Sequence, residues 1–176
     1  MDVRFLNPFI AAAVEVLQAE VGVTATRAHI SLQKTAMTTD DVTVLIHLVG
    51  QVYGVVMYGM PLSTGLKMVS KIMEQEFTEF DSLVQSGVGE LGNVITGCAT
   101  IKFSEAGYQA NISPPTIISG RGVQISTLDF PRIVVPLETP MGNLIVHLAL
   151  KESIPGNPNN LEEFVSLTLP DSQQVS

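Results

Sequence analysis

The chain has 176 residues, a length typical of one domain, and carries 9 basic against 17 acidic residues, a net charge of −8. Hydrophobic residues make up 45% of the sequence and charged residues 15%, which excludes a mainly disordered chain. No cluster of Lys and Arg occurs, so the sequence predicts no nucleic-acid partner and no binding to an anionic membrane surface.

The sequence also bears on the cellular compartment. Cys98 is the only cysteine, so no intrachain disulfide can form, and a cytoplasmic location is expected. Residues 1–18 contain Asp2 and Glu15 and have no basic segment before an apolar stretch, unlike a signal peptide. Residues 42–66 are free of charge, but they are interrupted by Gly50, Gly54, Gly59 and Pro61, which indicates a hairpin and a helix start rather than a transmembrane segment.

The predicted elements alternate between helices and strand pairs. In chain order they are a helix capped by Asn7, with Pro8 at its first position, that ends near Gly22; strands at 27–33, 42–49 and 52–60; a helix that starts at Pro61; a helix from the cap Asp81 to about Phe103; and strands at 108–112, 116–119, 130–137 and 143–151. This order predicts an α+β fold, in which long helices cover an antiparallel sheet built from two similar halves, each a helix followed by hairpins.

The C-terminal segment differs in composition from the rest. Residues 1–151 form the predicted domain, and residues 152–176 form an acidic tail that contains proline and asparagine but neither Lys nor Arg. Within this tail, residues 161–169 are apolar enough to dock on the domain or on a neighbouring molecule.

The histidines and the cysteine are expected to have structural roles rather than catalytic or metal-binding ones. His29, His47 and His147 each lie in a predicted strand without the spacing of metal ligands, so no metal site is predicted. Cys98 lies on the apolar side of its helix, which favours a buried structural cysteine over a nucleophile. The sequence contains no glycine-rich phosphate loop, nucleophile elbow or dinucleotide-binding fingerprint.

The third predicted helix has an unusual exposed face. At about 100° per residue, a stripe about 80° wide contains Ser82, Ser86, Glu90, Asn93 and Gly97. The opposite face carries Val84, Val88, Leu91, Ile95 and Cys98. Gly89 and Gly97 flank Glu90 and Asn93 and would let the surface of another protein come close. The alternative is a glycine-rich helix packed tightly against its own neighbours, and periodicity alone does not decide between the two.

The longer string around this stripe resembles a known signature. Ser86-x-x-x-Glu90-x-x-Asn93, in the context Gly-Val-Gly-Glu-Leu-Gly-Asn-Val-Ile-Thr-Gly and with the pair Pro114–Pro115 farther along, resembles the signature of the chemotaxis phosphatases CheC, CheX and FliY. The element order matches this family over residues 1–151. Members with two sites carry the signature on both long helices, whereas the first helix here offers only Glu15 and Gln18. The chain is therefore most similar to the CheX members, with one site.

The resemblance implies hydrolysis of the aspartyl phosphate of a CheY-type response regulator. The regulator would supply the phosphoaspartate, its Mg²⁺ and a lysine, so the chain would need no cofactor of its own. Residues three apart on a helix have Cβ atoms about 5–6 Å apart, so Glu90 and Asn93 would form the catalytic pair of one cleft. Asn93 would orient the attacking water, and Glu90, which phosphoryl oxygens repel, would dock to the lysine. Ser86, Gly89 and Gly97 would contact the partner.

A second interpretation is a non-catalytic module of the flagellar-switch type, which would bind the response regulator without hydrolysing its phosphate. Such a module would not need both Glu90 and Asn93. An acidic run on either side of the third helix's start, with no basic residue between Lys71 and Lys102, would steer a basic partner or simply form a solvated face.

A homodimer is also expected. If the two halves lie side by side, the apolar strands at 130–137 and 143–151 lie near a sheet edge, which invites pairing with a second copy. Pro131 and Pro136 would block part of that edge in the alternative case. The family resemblance, which implies sheets joined across a two-fold axis, favours the dimer.

Overall fold

Helices lie on one face of an antiparallel sheet in the computed structural model, which describes residues 3–34, 36–120, 122–127, 130–153 and 166–168. The helices are α1 (Leu6–Val16), preceded by a 3₁₀ turn (Val3–Phe5) and followed by a π-helical turn (Leu17–Val21), α2 (Leu62–Ile72) and α3 (Ser82–Glu105). The strands are β1 (Thr26–Arg27), β2 (Ser31–Gln33), β3 (Met37–Thr38), β4 (Val42–Gly50), β5 (Val52–Met60), β6 (Ala110–Ile112), β7 (Thr116–Ser119), β8 (Gln124–Ser126), β9 (Arg132–Thr139), β10 (Gly142–Glu152) and β11 (Ser166–Thr168). Within the described ranges, no helix combines the length and apolar character needed to span a bilayer.

The main sheet interlocks the two halves of the chain. Its order is β1, β9, β10, β5, β4, β6, with β2 extending the β1 edge along β9 and β7 extending the β6 edge along β4. Each half is a helix, a broken edge strand and a long hairpin, and each edge strand pairs antiparallel with the hairpin of the other half. The α+β class with an antiparallel sheet is confirmed.

Because of this exchange of edge strands, the second-half hairpin does not lie at a sheet edge, where the dimer surface was expected. Strand β10 lies between β5 and β9, and β1 and β2 cover the outer side of β9. The second-half hairpin is therefore interior, because the halves interlock rather than lie side by side. The outer edges are β1 with β2 on one side and β6 with β7 on the other.

Alternation along the strands builds two apolar layers. Val44, Ile46 and Leu48 of β4 join the helical core, whereas Leu45 faces the other side. On the helical side, the Phe103 ring packs edge-on against the rings of two aromatic residues of the first helical segment at 5.7 and 5.6 Å. On the other side, a small sheet in the order β11, β8, β3 covers the face. Its strands of two or three residues are too short for a sequence period, so they were not predicted.

Several predicted boundaries need correction. The first helix begins at Leu6 rather than after an Asn7 cap, because the preceding 3₁₀ turn runs directly into it and Phe5 precedes it without a side-chain cap. The strand predicted at 27–33 is two short strands, and His29 lies between them, exposed. The sequence also predicts a turn at residues 120–122, of which Arg121 lies outside the described residues.

Part of the predicted tail pairs with the domain. Strand β11 (Ser166–Thr168) pairs antiparallel with β8 in the register Leu167 opposite Ile125. This agrees with the apolar character of residues 161–169, although residues 161–165 and 169 lie outside the described residues. The domain boundary at residue 151 stays a prediction.

A buried histidine lies on the sheet face opposite the helices. His147 is flanked by Met57 of β5 and Val134 of β9. Burial, with the nearby positive charge of Arg132 as a second cause, lowers the pKa of His147 to about 3. Neither ring nitrogen has a hydrogen-bond partner among the described residues. His147 is therefore a neutral core residue.

Candidate functional site

The long helix α3 begins at a strong side-chain cap. One carboxylate oxygen of Asp81 accepts hydrogen bonds from the backbone N–H groups of Leu83 at 3.0 Å and Val84 at 2.9 Å. These bonds satisfy two donors that the first turn leaves without helical partners. The predicted start at Asp81 is confirmed, and the helix extends to Glu105, two residues beyond the predicted end.

Glycines let the inner face of α3 approach the sheet and α2 closely. A Cβ at Gly87 would lie 2.8 Å from a methyl group of Val69, and a Cβ at Gly92 would lie 3.0 Å from Val44 and 3.2 Å from the Tyr58 ring. The predicted inner residues Val84, Val88, Leu91 and Ile95 are buried. Cys98 differs slightly, since it is only half-buried at the margin of the core.

A buried hydrogen bond holds this inner face to the sheet. The Tyr58 hydroxyl lies 2.9 Å from the Thr96 hydroxyl, which also hydrogen-bonds to the backbone oxygen of Gly92 at 2.7 Å. Burial raises the pKa of Tyr58, so this phenol stays protonated. With the glycine contacts, the bond fixes how far α3 is rotated about its axis, and so which residues face outward.

The outward face carries the predicted pair. Ser86 and Glu90 are exposed, and Asn93 and Gly97 are half-buried. The Asn93 Nδ2 donates a long hydrogen bond of 3.4 Å to Glu90 Oε2. This contact turns the amide nitrogen toward the carboxylate and leaves the amide oxygen of Asn93 to accept another hydrogen bond.

The two glycines that flank the pair differ from each other. Around a Cβ at Gly97 nothing lies within 4 Å, so this position is open. Gly89, in contrast, is buried, and a Cβ there would lie 3.1 Å from Ile117 and 3.5 Å from Pro115. Gly89 therefore lets strand β7 of the same chain come close to the helix. At this position the second alternative from the sequence, tight packing against the helix's own neighbours, is the correct one.

The Pro114–Pro115 loop borders the pair. Ser113 fixes the loop: its hydroxyl accepts a hydrogen bond from the backbone N–H of His47 at 3.0 Å and donates one to the backbone oxygen of Pro114 at 2.9 Å. The loop then leads into Ile117, which lies against the helical turn before Glu90. Sequence reasoning did not identify Ser113 or Ile117, because nothing in the local pattern shows which helix the loop meets.

The polar groups at the end of the first helix, Glu15 in α1 and Gln18 in the π-helical turn, are paired within the chain. The Glu15 carboxylate accepts a hydrogen bond from the Lys102 ammonium at 2.9 Å. This hydrogen bond, more than the accompanying charges, raises the pKa of Lys102. Gln18 Oε1 accepts a hydrogen bond from Thr24 at 3.3 Å. Glu15 and Gln18 thus tie the first helix to its neighbours instead of forming a second open pair.

The surroundings of α3's first turn are acidic. The carboxylates of Glu74, Glu76, Glu79 and Asp81 are exposed. Within the described part of the chain, His, Cys, Asp and Glu side chains form no group of three that could hold a metal ion. The arrangement can accept a hydrogen bond at Asn93, attract a cation at Glu90 and steer a basic partner toward both.

Comparison with known proteins gives consistent matches. Residues 42–138 match the family described as chemotaxis phosphatase CheX. The CheY-P phosphatase CheX of Thermotoga maritima is 31% identical over 134 residues, covering 72% of this chain and 83% of that protein.

Two solved structures extend the likeness to the fold. A CheC-like superfamily protein from Shewanella sp. PV-4 superposes with a TM-score of 0.78 at 27% identity, over 86% of this chain and 99% of that one. CheX of Borrelia burgdorferi, solved in a complex with CheY, BeF₃ and Mg²⁺, superposes with a TM-score of 0.68 at 25% identity, over 86% of this chain and 100% of that one.

Proposed function

Because this chain belongs to the CheX family of chemotaxis phosphatases, we propose that it hydrolyses the aspartyl phosphate of a CheY-type response regulator. The observation that carries the proposal is the pair of Glu90 and Asn93, adjacent on the outward face of α3 and in contact at 3.4 Å. The phosphorylated regulator is the substrate and brings its own Mg²⁺. The Borrelia burgdorferi complex of CheX with CheY, BeF₃ and Mg²⁺ supports this division.

Asn93 positions the attacking water. Its amide oxygen accepts a hydrogen bond from the water, which directs a lone pair of the water oxygen toward phosphorus. The new bond joins the water oxygen to phosphorus, the acyl phosphate P–O bond breaks, and the regulator's aspartate leaves as a carboxylate while inorganic phosphate is released. Phosphoryl transfer depends mainly on positioning and electrostatics, so one oriented amide makes a large difference.

Glu90 docks to a cation of the regulator. A carboxylate directly beside the phosphoryl oxygens is repelled by their charge, whereas the regulator's lysine attracts it. A salt bridge at this point fixes the register of the two proteins and so places Asn93 over the phosphate. The hydrogen bond from Asn93 supports this arrangement, because it keeps the two side chains together before the partner arrives.

Ser86 and Gly97 contact the partner on either side of the pair. Both lie on the outward face, and Gly97 leaves open space above the helix backbone. Gly89 acts indirectly, since it seats Ile117 beside Glu90.

The experiment that tests the function follows phosphate release from a phosphorylated CheY-type regulator with Mg²⁺, with and without the protein. A phosphatase accelerates release catalytically, with many turnovers per chain. A flagellar-switch-like module, the alternative, binds the phosphorylated regulator and leaves its rate of phosphate loss unchanged. The presence of both Glu90 and Asn93 favours the phosphatase.

The homodimer and the cytoplasmic location stay predictions. The β1–β2 edge suits a dimer, because it lies across the sheet from β7 and from the Glu90 pair. Leu32 of β2 is 59% exposed there. Pairing through this edge leaves both sites accessible, whereas pairing through β7 crowds them. Light scattering should give about twice the 18.9 kDa chain mass.

A further inference from the structure

Two apolar side chains of α3 are exposed beside the Glu90–Asn93 pair. Leu83 is 47% exposed and Ile101 is 62% exposed. At 100° per residue, both lie within about 20° of Glu90 around the helix axis. With a rise of about 1.5 Å per residue, Leu83 lies about 10 Å before Glu90 and Ile101 about 16 Å after it. Glu90 therefore lies between two exposed apolar side chains on one line along the helix, and Asn93 lies about 60° from Glu90 around the axis.

An apolar cavity lies near the start of α3, at the end of the helix that carries Leu83. It has a volume of about 450 Å³, and its lining residues are Asp41, Leu62, Phe80, Ser119 and Gly120. Phe80 directly precedes the Asp81 cap of α3, and Leu62 is 37% exposed. Phe80 therefore places the cavity next to the start of α3, and Ser119 and Gly120 place it at the end of β7.

Charge around this face favours a basic partner. The exposed carboxylates of Glu74, Glu76, Glu79 and Asp81 lie before and at the start of α3, and Glu90 lies at its middle. Lys102, near the other end of the helix, directs its ammonium to Glu15. A protein with a cationic centre and an apolar rim is complementary to such a surface.

We propose that Leu83, Ile101 and the cavity beside Leu62 are the apolar anchors that hold the response regulator against α3. The inference rests on the proposed function and adds the surface that gives the regulator its affinity. Leu83 and Ile101 are about 27 Å apart along the helix. A standard interface of about 800 Å² per partner is about 30 Å across, so one regulator centred on Glu90 covers both. Anchors on either side hold the phosphoryl group over Asn93.

The test measures steady-state dephosphorylation of a phosphorylated CheY-type regulator from the same genome by Leu83→Gln and Ile101→Gln. Glutamine keeps the helix propensity while removing the apolar contact. Each variant should raise KM at least about tenfold, the loss expected from one buried aliphatic side chain, with kcat unchanged. The matched control is Val49→Gln, since Val49 is 49% exposed but belongs to the opposite face of β4 from the helices. Its KM should equal that of the wild type.

The outcomes separate the two proposals. If the wild type releases phosphate but both α3 variants keep its KM, the docking surface is wrong and the phosphatase stands. If the wild type releases none, the function itself is wrong. A thermal melt of each variant shows whether the fold is retained, and a double variant, Leu83→Gln with Ile101→Gln, should multiply the two effects on KM, since the sites are far apart.

Discussion

Glu90 has two candidate partners, the amide of Asn93 within the chain and a cation brought by the regulator. The intramolecular contact is long, at 3.4 Å, and exposed, so exchanging it for a salt bridge costs little. A carboxylate that docks a lysine acts mainly through binding, and its effect weakens as salt screens the charges.

Glu90→Gln should therefore weaken regulator binding on the order of tenfold while slowing turnover at saturation much less. The variant should also lose part of the salt dependence that the wild-type interaction shows, while the exposed carboxylates before and at the start of α3 keep the rest. Titration of a beryllofluoride-activated regulator at two salt concentrations measures both effects. Glu138→Gln is the matched control, because this glutamate is exposed on β9, outside the site. Unchanged binding with slower turnover would assign Glu90 to the chemistry instead.

Helix α3 shows which features of the site can be predicted from the sequence. Its cap at Asp81, its inner apolar face and the outward position of Glu90 and Asn93 follow from local spacing alone, because a helix of 24 residues repeats its period many times. The environment of Gly89 does not follow, because Ile117 and Pro115 reach it through tertiary packing. Local spacing shows that a glycine is present but not which surface comes close to it.

Replacing a glycine of α3 by alanine should have opposite effects on stability at two positions. Gly97→Ala should raise the free energy of unfolding by up to about 1 kcal/mol, because alanine favours a helix and nothing lies within 4 Å of the new methyl group. The same methyl group should weaken binding of the regulator. Gly92→Ala should instead destabilise the fold, since Val44 and Tyr58 already crowd that position.

Urea unfolding of both variants, together with a binding titration of Gly97→Ala, checks these expectations. A Gly97→Ala protein that is more stable and binds the regulator as well as the wild type would remove Gly97 from the partner surface.

In the whole molecule, the class of fold was predictable, but its interlocked topology was not. The tight turns at Gly50–Gln51 and at residues 139–142 predict the hairpins β4–β5 and β9–β10. Which edge strand joins which hairpin depends on contacts between distant segments, such as Leu32 opposite Ile133. The short strands β3, β8 and β11 depend on the same kind of long-range pairing. Because the sequence does not show that β1 and β2 cover β9, it places the β9–β10 hairpin at a sheet edge, where it predicts the dimer surface.

Buried His147 gives the whole fold a dependence on pH. Its folded pKa is about 3 and its unfolded pKa is about 6.5, so between these values only the unfolded chain binds the proton. The stability that neutral His147 contributes is thus complete above about pH 6.5 and falls as the pH drops toward 3, by up to about 1.4 kcal/mol per pH unit.

Urea unfolding at pH 7, 6 and 5 should show this decline in the wild type. His147→Leu should flatten it, whereas His29→Leu, at an exposed position, should not. Equal slopes for His147→Leu and the wild type would mean that His147 is protonated in the folded state.

The most direct test of water positioning by Asn93 measures phosphate release from a phosphorylated CheY-type regulator, at saturating regulator and with Mg²⁺ present. It compares the wild type with Asn93→Ala. Asn143→Ala is the matched control, since this exposed asparagine lies on β10 outside the site. Loss of one water-positioning hydrogen bond should lower kcat of Asn93→Ala on the order of 10²-fold, while Asn143→Ala keeps the wild-type rate. Wild-type kcat in Asn93→Ala would contradict the mechanism.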